Sequence, residues 1–429
     1  MKKRALIITY YWPPAGGPGV QRWLNFVKYL GEFDIEPVVY IPENPHYPLV
    51  DTTFISVVPE GIELIKHPIK EPYRLAALFS KKKTQQISSG IITKKKPSLL
   101  EKVLLYIRGN YFIPDARIGW VQPSVRFLQD YLKVHPVDVV ITTGPPHSLH
   151  LIGLKLKEIV KIPWVADFRD PWTTIHYHNS LRLTVASERK HKKLEAQVLQ
   201  NADRVVVTSP TTKKEFEIIT DAPIAVITNG YGDTANDIVP NFDKRFSIAH
   251  IGSLLSERNP KVLWKVLSEI ASENDTFKKD LQLKFAGAVS EDVLASIDSF
   301  QLRENLEVIG YVSHSEAIQL QHNAQLLLLV EMNKPETRAI IPGKLFEYLV
   351  ARRPIIAFGP QGSDMAGIIS ETKSGHFFGY HNEEALASQI LEYYALFKAD
   401  ALYLGPSEIN QYSRRELTKK LAAVLHELS

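Results

Sequence analysis

Two ionisable side chains, Lys344 and Glu347, stand three positions apart where an apolar helix is expected to begin. Residues at this spacing project from the same face of a helix. A helix N-terminus carries unpaired N–H groups and a partial positive charge, which favour an anion such as phosphate. The pattern therefore predicts that Lys344 meets a phosphate and that Glu347 accepts hydrogen bonds from a ribose diol. A surface helix with a local Lys–Glu pair is the alternative interpretation.

A histidine follows a predicted strand in the first half of the chain. The apolar run 137–143 leads into Gly-Pro-Pro-His-Ser at 144–148, and a helix is expected from near Leu149. In open α/β sheets, side chains at the carboxyl ends of strands face the ligand crevice. We therefore expect His147 near a substrate. A histidine that only caps its helix or packs against it is the alternative.

Charged and aromatic side chains follow the next predicted strand, at 162–166. Asp167, Arg169 and Asp170 cluster there, with Trp172 beside them. Either carboxylate could serve as a catalytic base, and the tryptophan offers a flat apolar face for a sugar ring. A carboxylate–guanidinium network that only makes the loop rigid is the alternative.

Glycine-containing turns open both halves of the chain. The first turn follows the apolar run 4–10 and lacks the third glycine of a dinucleotide fingerprint. The second begins near residue 251, after another apolar run. Residues in these turns that could approach a ligand are Gly16, Gly17, Gly252, Ser253 and Arg258. Glycines that serve only the turns, and an exposed loop charge at position 258, are the alternatives.

Apolar runs of strand length alternate with helical patterns, which predicts an α/β fold. Two successive βα repeats predict two Rossmann-like, doubly wound domains facing a cleft, at 1–235 and 245–405, joined by a linker at 230–245. The predicted strands are 4–10, 35–41, 62–66, 137–143, 162–166, 203–209, 224–230, 246–251, 282–286, 306–309, 325–330 and 354–358.

Composition restricts the class of protein. The 429 residues are 45% hydrophobic and 23% charged, with no cysteine. This is typical of a globular protein, excludes disulfides and thiol catalysis, and favours a cytoplasmic location. No Asp-x-Asp occurs, so the usual metal clamp on a nucleotide diphosphate is missing. We therefore expect no metal and no other cofactor, with Arg258, Lys344 and helix N–H groups neutralising a leaving diphosphate.

The net charge of +4 is unevenly distributed along the chain. The stretch 70–108 contains ten Lys and Arg against two Glu, a local balance of +8. Its apolar segments lie beside lysine triplets and suit the face of an anionic membrane. A solvated loop is the alternative. Nucleic-acid binding is not expected, because no recognition motif accompanies the charge.

The run Ile-Pro-Gly-Lys-Leu-Phe-Glu-Tyr-Leu at 341–349 resembles the nucleotide-sugar signature of family-4-type glycosyltransferases, which have two Rossmann-like domains in the GT-B fold. The segments 13–19, 144–148 and 167–172 are also similar to that family. In these enzymes the lysine approaches the diphosphate and the glutamate binds the ribose. The family often carries a second glutamate eight residues earlier, where this chain has Ala339.

The resemblance implies roles for the candidate residues. The donor would bind the second domain and the acceptor the first, a final helix within 408–429 would cross back onto the first domain, and domain closure would exclude water. The implied catalytic residues are His147, Asp167 and Asp170. The implied donor-binding residues are Gly16, Gly17, Gly252, Ser253, Arg258, Lys344, Leu345 and Glu347, and the implied acceptor-binding residues are Arg169 and Trp172.

These expectations combine into a function. The sequence predicts a metal-independent glycosyltransferase that moves a sugar from a nucleotide-diphosphate sugar to a glycan or lipid-linked acceptor in cell-surface polysaccharide or glycolipid synthesis. The resemblance implies retention of the anomeric configuration. A nucleotide-sugar epimerase or hydrolase with Asp167 or Asp170 as base is one alternative. A non-catalytic nucleotide-sugar-binding scaffold is another, and a membrane-surface adaptor using only 70–108 is a third.

Overall fold

The computed structural model describes residues 2–71, 99–176, 178–232, 238–403 and 408–428. The chain forms two compact units. The first unit is Met1–Thr228 with Arg414–Ser429, and the second unit is Asn229–Ser413. Most of the basic stretch predicted to meet a membrane, residues 72–98, lies outside the described residues. None of the described helices is both long enough and apolar enough to cross a membrane.

A seven-stranded parallel sheet forms the centre of the first unit. Its order is β3-β2-β1-β4-β5-β6-β7, so the strand order reverses between β1 and β4. Apolar runs form these strands because most of them are covered on both faces. The strands are β1 (Lys3–Ile8), β2 (Ile35–Pro42), β3 (Glu63–His67), β4 (Val139–Gly144), β5 (Trp164–Phe168), β6 (Arg204–Val207) and β7 (Ile224–Val226).

Alternate residues of β1 belong to two different hydrophobic clusters, so helices cover both faces of this sheet. One helix, at 118–134, was not predicted, because Pro123 within it interrupts the helical pattern. The helices before the second unit are α1 (Pro18–Leu30), α2 (Leu99–Tyr111), α3 (Ile118–Val134), α4 (Ser148–Val160), α5 (Val185–Asn201) and α6 (Pro210–Glu217).

The second unit contains a six-stranded parallel sheet in the order β10-β9-β8-β11-β12-β13, which reverses between β8 and β11. Its strands are β8 (Phe246–Ile251), β9 (Leu281–Ala286), β10 (Leu306–Gly310), β11 (Leu326–Val330), β12 (Ile355–Phe358) and β13 (Gly375–Phe378). Its helices are α7 (Lys261–Glu273), α8 (Asp275–Asp280), α9 (Glu291–Ser299), α10 (His314–Asn323), α11 (Gly343–Ala351), α12 (Asp364–Thr372) and α13 (Glu383–Lys398). The predicted class, α/β with two Rossmann-like units, is confirmed.

The last helix, α14 (Arg414–His426), packs within the first unit, as the resemblance implies. Its Leu417 and Leu421 lie in the same buried cluster as Trp23 of α1. Arg415 also donates a hydrogen bond of 2.7 Å from Nε to Glu32. The end of the chain therefore completes the hydrophobic core that its beginning starts.

Candidate functional site

The turn after β8 brings the backbone of the second unit close to Lys344. Gly252 has a φ of 122°, and a Cβ at this position would come within 2.5 Å of Lys344 Nζ. Gly287, with a φ of 114°, packs against Gly252 so closely that a Cβ there would lie 2.6 Å from the Gly252 oxygen. Both positions therefore require glycine. Ser253 follows in an exposed position.

Lys344 is the second residue of α11 and is partly buried. Burial and the neighbouring Arg258 guanidinium lower the pKa of Lys344 to about 8. Its Nζ lies 3.5 Å from Nε2 of His250. Burial, followed by the Lys344 charge, lowers the pKa of His250 to about 3, so this imidazole is neutral at neutral pH. The lysine therefore lacks a strong anionic partner and can respond to an added anion.

The N-terminus of α11 adds backbone N–H groups to this site. Its N-cap residue, Pro342, makes no side-chain capping bond, and its first turn contains no acidic residue. The N-terminus of α11 therefore keeps its partial positive charge. The side chain of Leu345 is fully buried and its N–H donates to Pro342 O at 3.0 Å, and its place in the donor-binding set stays a prediction.

Arg258 pairs with Glu331, which directly follows β11. Its Nη2 lies 3.1 Å from each carboxylate oxygen of Glu331, and its Nε lies 3.2 Å from Oε1. The Glu331 side chain is 1% exposed, whereas the Arg258 side chain is 32% exposed. The guanidinium is thus held by a buried carboxylate and still reaches the surface of the unit. Arg258 was predicted from the sequence, but Glu331 was not, because it is 73 residues away and carries no local motif.

Glu347 lies one turn further along α11 than Lys344. Its Oε2 accepts a 3.0 Å hydrogen bond from Nε2 of Gln321 on α10. The next residue, Tyr348, accepts a hydrogen bond of 3.1 Å from the Ile251 N–H, which ties α11 to the end of β8. The second unit therefore places Gly252, Arg258, Lys344 and Glu347 around the point where its strand order reverses, which is where ligands bind in open α/β sheets. That they bind a donor stays a prediction.

In the first unit, Asp167 is fully buried at the end of β5. It accepts hydrogen bonds from Arg22 Nη2 at 2.9 Å, Trp23 Nε1 at 2.8 Å and Thr143 Oγ1 at 2.8 Å. Burial alone would raise the pKa of Asp167, but Arg22 and these bonds hold it below its usual value. Its salt bridge is to Arg22 of α1 and not to the neighbouring Arg169. These contacts favour a structural role over the predicted catalytic one.

Asp170 differs from Asp167 in its surroundings. No described residue forms a hydrogen bond with its carboxylate, and burial raises its pKa despite the nearby Arg169 and His176. Arg169 donates from Nη2 to the Pro145 oxygen, and its guanidinium lies 5.7 Å from the centre of the Tyr11 ring. Of the two predicted aspartates, Asp170 has the properties of a proton acceptor.

His147 precedes α4 and stacks on Trp172, with ring centres 5.0 Å apart and planes 4° apart. Its two ring nitrogens are buried and have no hydrogen-bond partner among the described residues. Burial, with His150 nearby, places the pKa of His147 well below its usual value, so the ring is neutral. A neutral imidazole can donate one hydrogen bond and accept another.

Trp172 does not offer the open ring face that sugar stacking requires. The residue is 2% exposed, and its Nε1 donates to Nδ1 of His191 at 3.1 Å. The Glu195 carboxylate accepts from the backbone N–H groups of Trp172 and Thr173. In this structure Trp172 supports His147 from beneath, and its contact with an acceptor stays a prediction.

The first glycine turn packs against the segment that follows β2. Gly16 donates to Leu49 O at 2.9 Å, and a Cβ on Gly16 would come 2.9 Å from Leu49 Cγ. Gly17 has a φ of 91° and forms the N-cap of α1. Asp115 was not predicted from the sequence; its carboxylate accepts from both N and Oγ of Ser148 at 2.8 Å and so caps α4. The start of α4 is therefore occupied by a carboxylate of the chain itself.

Two family models match the chain. Residues 84–233 match Glycosyltransferase Family 4, and residues 245–395 match Glycosyl transferases group 1. Together they cover most of the sequence, on both units. No curated protein sequence matches the chain at a significant level.

Solved structures of similar fold extend over nearly the whole chain. WaaG, a glycosyltransferase involved in lipopolysaccharide biosynthesis, is 13% identical with a TM-score of 0.55, over 98% of this chain and 99% of its own. HepE from Anabaena, in complex with UDP-glucose, is 13% identical with a TM-score of 0.58, over 99% and 100%. A putative UDP-N-acetylglucosamine 2-epimerase from Listeria monocytogenes is 11% identical with a TM-score of 0.54, over 100% and 96%. At these identities the likeness establishes the fold alone.

Proposed function

Since the chain belongs to the family-4-type glycosyltransferases of GT-B fold, we propose that it transfers a sugar from a nucleoside-diphosphate sugar to a hydroxyl of a glycan or lipid-linked acceptor. The product belongs to cell-surface polysaccharide or glycolipid synthesis. UDP sugars are the first donors to test, because a neighbour of the same fold was solved with UDP-glucose.

The observation that carries the proposal is the pair of cations in the second unit. Arg258 and Lys344 are close enough for the charge of one to lower the pKa of the other, and they adjoin the uncapped start of α11. Arg258 is paired with Glu331, but Lys344 forms no ion pair with a described residue, so the two cations together keep an excess positive charge that attracts a diphosphate. They would also stabilise the charge that develops on the leaving diphosphate, which is the role that a metal plays in other transferases.

The remaining residues receive roles in the same proposal. Glu347 accepts hydrogen bonds from the ribose hydroxyls, and the neutral His147 exchanges hydrogen bonds with hydroxyls of the sugar or acceptor. The sugar C1–O bond to the diphosphate breaks, and a bond from the acceptor oxygen to C1 forms on the same face. Because the new bond forms on the face from which the diphosphate departs, the anomeric configuration is retained. The acceptor proton is transferred to an oxygen of the leaving diphosphate.

Calorimetric titration with nucleoside diphosphates and nucleotide sugars, without metal, tests the donor site. We expect one base to bind best, and Lys344→Ala to weaken that binding about 10- to 100-fold, because a charged hydrogen bond contributes about 1.5–3 kcal/mol. Lys278→Ala, at an exposed position of α8, is the matched control and should bind normally. Folded protein that binds none of these compounds would contradict the proposal.

A nucleotide-sugar hydrolase or epimerase is the second candidate, and the raised pKa and unbonded carboxylate of Asp170 favour it. It differs from the transferase in needing no acceptor. Nuclear magnetic resonance of the donor incubated with protein alone separates the two. Conversion of the donor without an acceptor, abolished by Asp170→Asn, supports this second candidate, whereas a stable donor supports the transferase.

We also propose that the protein binds its acceptor at the surface of an anionic membrane. The support is α2, which follows the lysine-rich stretch in sequence and exposes Val103, Tyr106, Ile107 and Tyr111. An apolar helix face beside basic residues suits the boundary of an anionic bilayer. Tyr111→Ser should reduce co-sedimentation with phosphatidylglycerol vesicles, whereas Tyr311→Ser, at an even more exposed site in the second unit, should not. Equal vesicle binding by both variants would show that α2 does not contact the membrane.

A further inference from the structure

Glu331 is fixed in place by contacts that do not involve its charge partner. Its backbone N–H donates to Phe358 O on β12 at 2.8 Å, and its backbone oxygen accepts from Tyr380 Oη at 2.6 Å. Its Oε1 also accepts from the Met332 N–H at 2.8 Å. The carboxylate is thus held rigidly at the end of β11, the strand beside β8 where the order of the sheet reverses.

Glu331 engages only one edge of the Arg258 guanidinium. The bonds run from Nε and Nη2, while Nη1 forms no hydrogen bond with any residue that the structure describes. A guanidinium has donors along more than one edge and can bind two carboxylate or phosphate groups at once. The free edge of Arg258 remains available for a second anion.

A buried carboxylate beside a phosphate site has two opposite effects. Its negative charge repels a phosphate and competes for the cation. It also fixes a long arginine side chain in one geometry, which removes the conformational entropy that binding would otherwise cost. The hydrogen bond from the Met332 N–H to Oε1 favours the second effect, because it fixes the carboxylate itself and not only the backbone that carries it.

We propose that Glu331 is a positioning residue for the donor: it holds Arg258 by one edge so that the other edge meets the diphosphate. The proposal rests on the proposed function, since it assumes that Arg258 contacts the donor diphosphate. The proposal makes a distinctive prediction about the direction in which the diphosphate affinity changes. Removing the charge of Glu331 weakens diphosphate binding, although simple electrostatics demands the opposite.

The test is calorimetric titration of the nucleoside diphosphate that binds the wild-type protein best. We expect Glu331→Gln to weaken binding about tenfold, as for the loss of one charge-assisted contact. Glu257→Gln, which removes the same charge from an exposed pair with Lys334, should leave the affinity unchanged. Arg258→Ala should weaken binding too, and adding Glu331→Gln to it should cause no further loss.

Each other outcome overturns the proposal. If Glu331→Gln binds the diphosphate as tightly as the wild type, Glu331 has no part in binding. If it binds more tightly, Glu331 competes with the diphosphate for Arg258. Further weakening of Arg258→Ala by Glu331→Gln indicates a general structural role, independent of Arg258. Binding to none of these proteins, wild type included, overturns the proposed function and this inference together. If Glu331→Gln fails to fold in a thermal-unfolding control, Arg258→Lys replaces it: lysine keeps the charge but loses the two-edged geometry, so normal binding there overturns the proposal.

Discussion

The two units share a strand order but differ in what lies at the carboxyl ends of their strands. In the first unit, two carboxylates near this edge are already bonded within the unit: Asp167 accepts from Arg22, Trp23 and Thr143, and Asp115 caps α4. In the second, Lys344 has a lowered pKa and Arg258 keeps a free edge. The same topology therefore supports an edge with bonded carboxylates in one unit and an edge with excess positive charge in the other.

This difference shows that strand order decides where a ligand site can form and not what the site binds. A crevice whose charges are largely satisfied internally is suited to hydroxyl groups, which neutral donors and acceptors can bind; under the proposed function, His147 is such a group. A crevice with excess positive charge recognises phosphate. Each of the following predictions tests one side of that contrast, beginning with the largest effect.

Asp167→Asn should lower the free energy of unfolding by about 3–5 kcal/mol, because it leaves the buried Arg22 guanidinium without its counter-ion. Urea unfolding of the variant and wild type measures the change. Asp130→Asn, in an exposed pair with Lys133, is the control and should change little. A comparable loss in both variants would show that Asp167 is not the internal anchor of the first unit.

Gly252→Ala should lower the free energy of unfolding by about 1–3 kcal/mol, because alanine is strained at a φ of 122°. It should also weaken nucleotide binding, since its Cβ would displace Lys344 Nζ. Gly367→Ala, within α12 and with open space around its Cβ, should be neutral or slightly stabilising. Normal nucleotide affinity in Gly252→Ala would show that this turn is not part of the donor site.

The affinity for a nucleotide sugar should fall as the pH rises above about 8, the pKa of Lys344 in the free protein. An anion favours protonated lysine, so binding raises this pKa. Affinity is therefore full below pH 8 and lost above it, by at most about tenfold (1.4 kcal/mol) per pH unit. Titrations from pH 7 to 9.5 measure the slope. The weaker affinity of Lys344→Met should not depend on pH in this range. An equal slope in both proteins would show that a group other than Lys344 titrates.

Trp172→Phe should lower the free energy of unfolding by about 0.5–1.5 kcal/mol, because it removes one buried hydrogen bond, to His191 Nδ1, while keeping an aromatic ring beneath His147. Thermal unfolding measures this, and Phe216→Leu, which alters packing in the same core cluster without removing a hydrogen bond, provides the comparison. If the acceptor KM rises although the variant remains folded under the assay conditions, Trp172 makes the direct substrate contact that its burial argues against.

Much of the fold was predictable because parallel strands covered on both faces are continuous apolar runs, as in 246–251 and 326–330. Helix α3 was missed because of its internal proline, and β13 because it has only four residues and begins with glycine. The partners of the site residues were harder to predict. Lys344 and Glu347 share a helix, so their spacing is informative, whereas Arg22 meets Asp167 across 145 positions and Glu331 meets Arg258 across 73. Such pairs follow from the folded sheet and leave no local pattern.

The return of α14 to the first unit has a consequence for the order in which the protein is made. Translation produces all of the second unit before the residues that complete the core around α1. During synthesis, the second unit can fold as soon as it leaves the ribosome, while the apolar face of α1 stays without Leu417 and Leu421. The nascent first unit is therefore the one that needs protection from aggregation, and chaperones should engage it until residue 414 and those after it emerge.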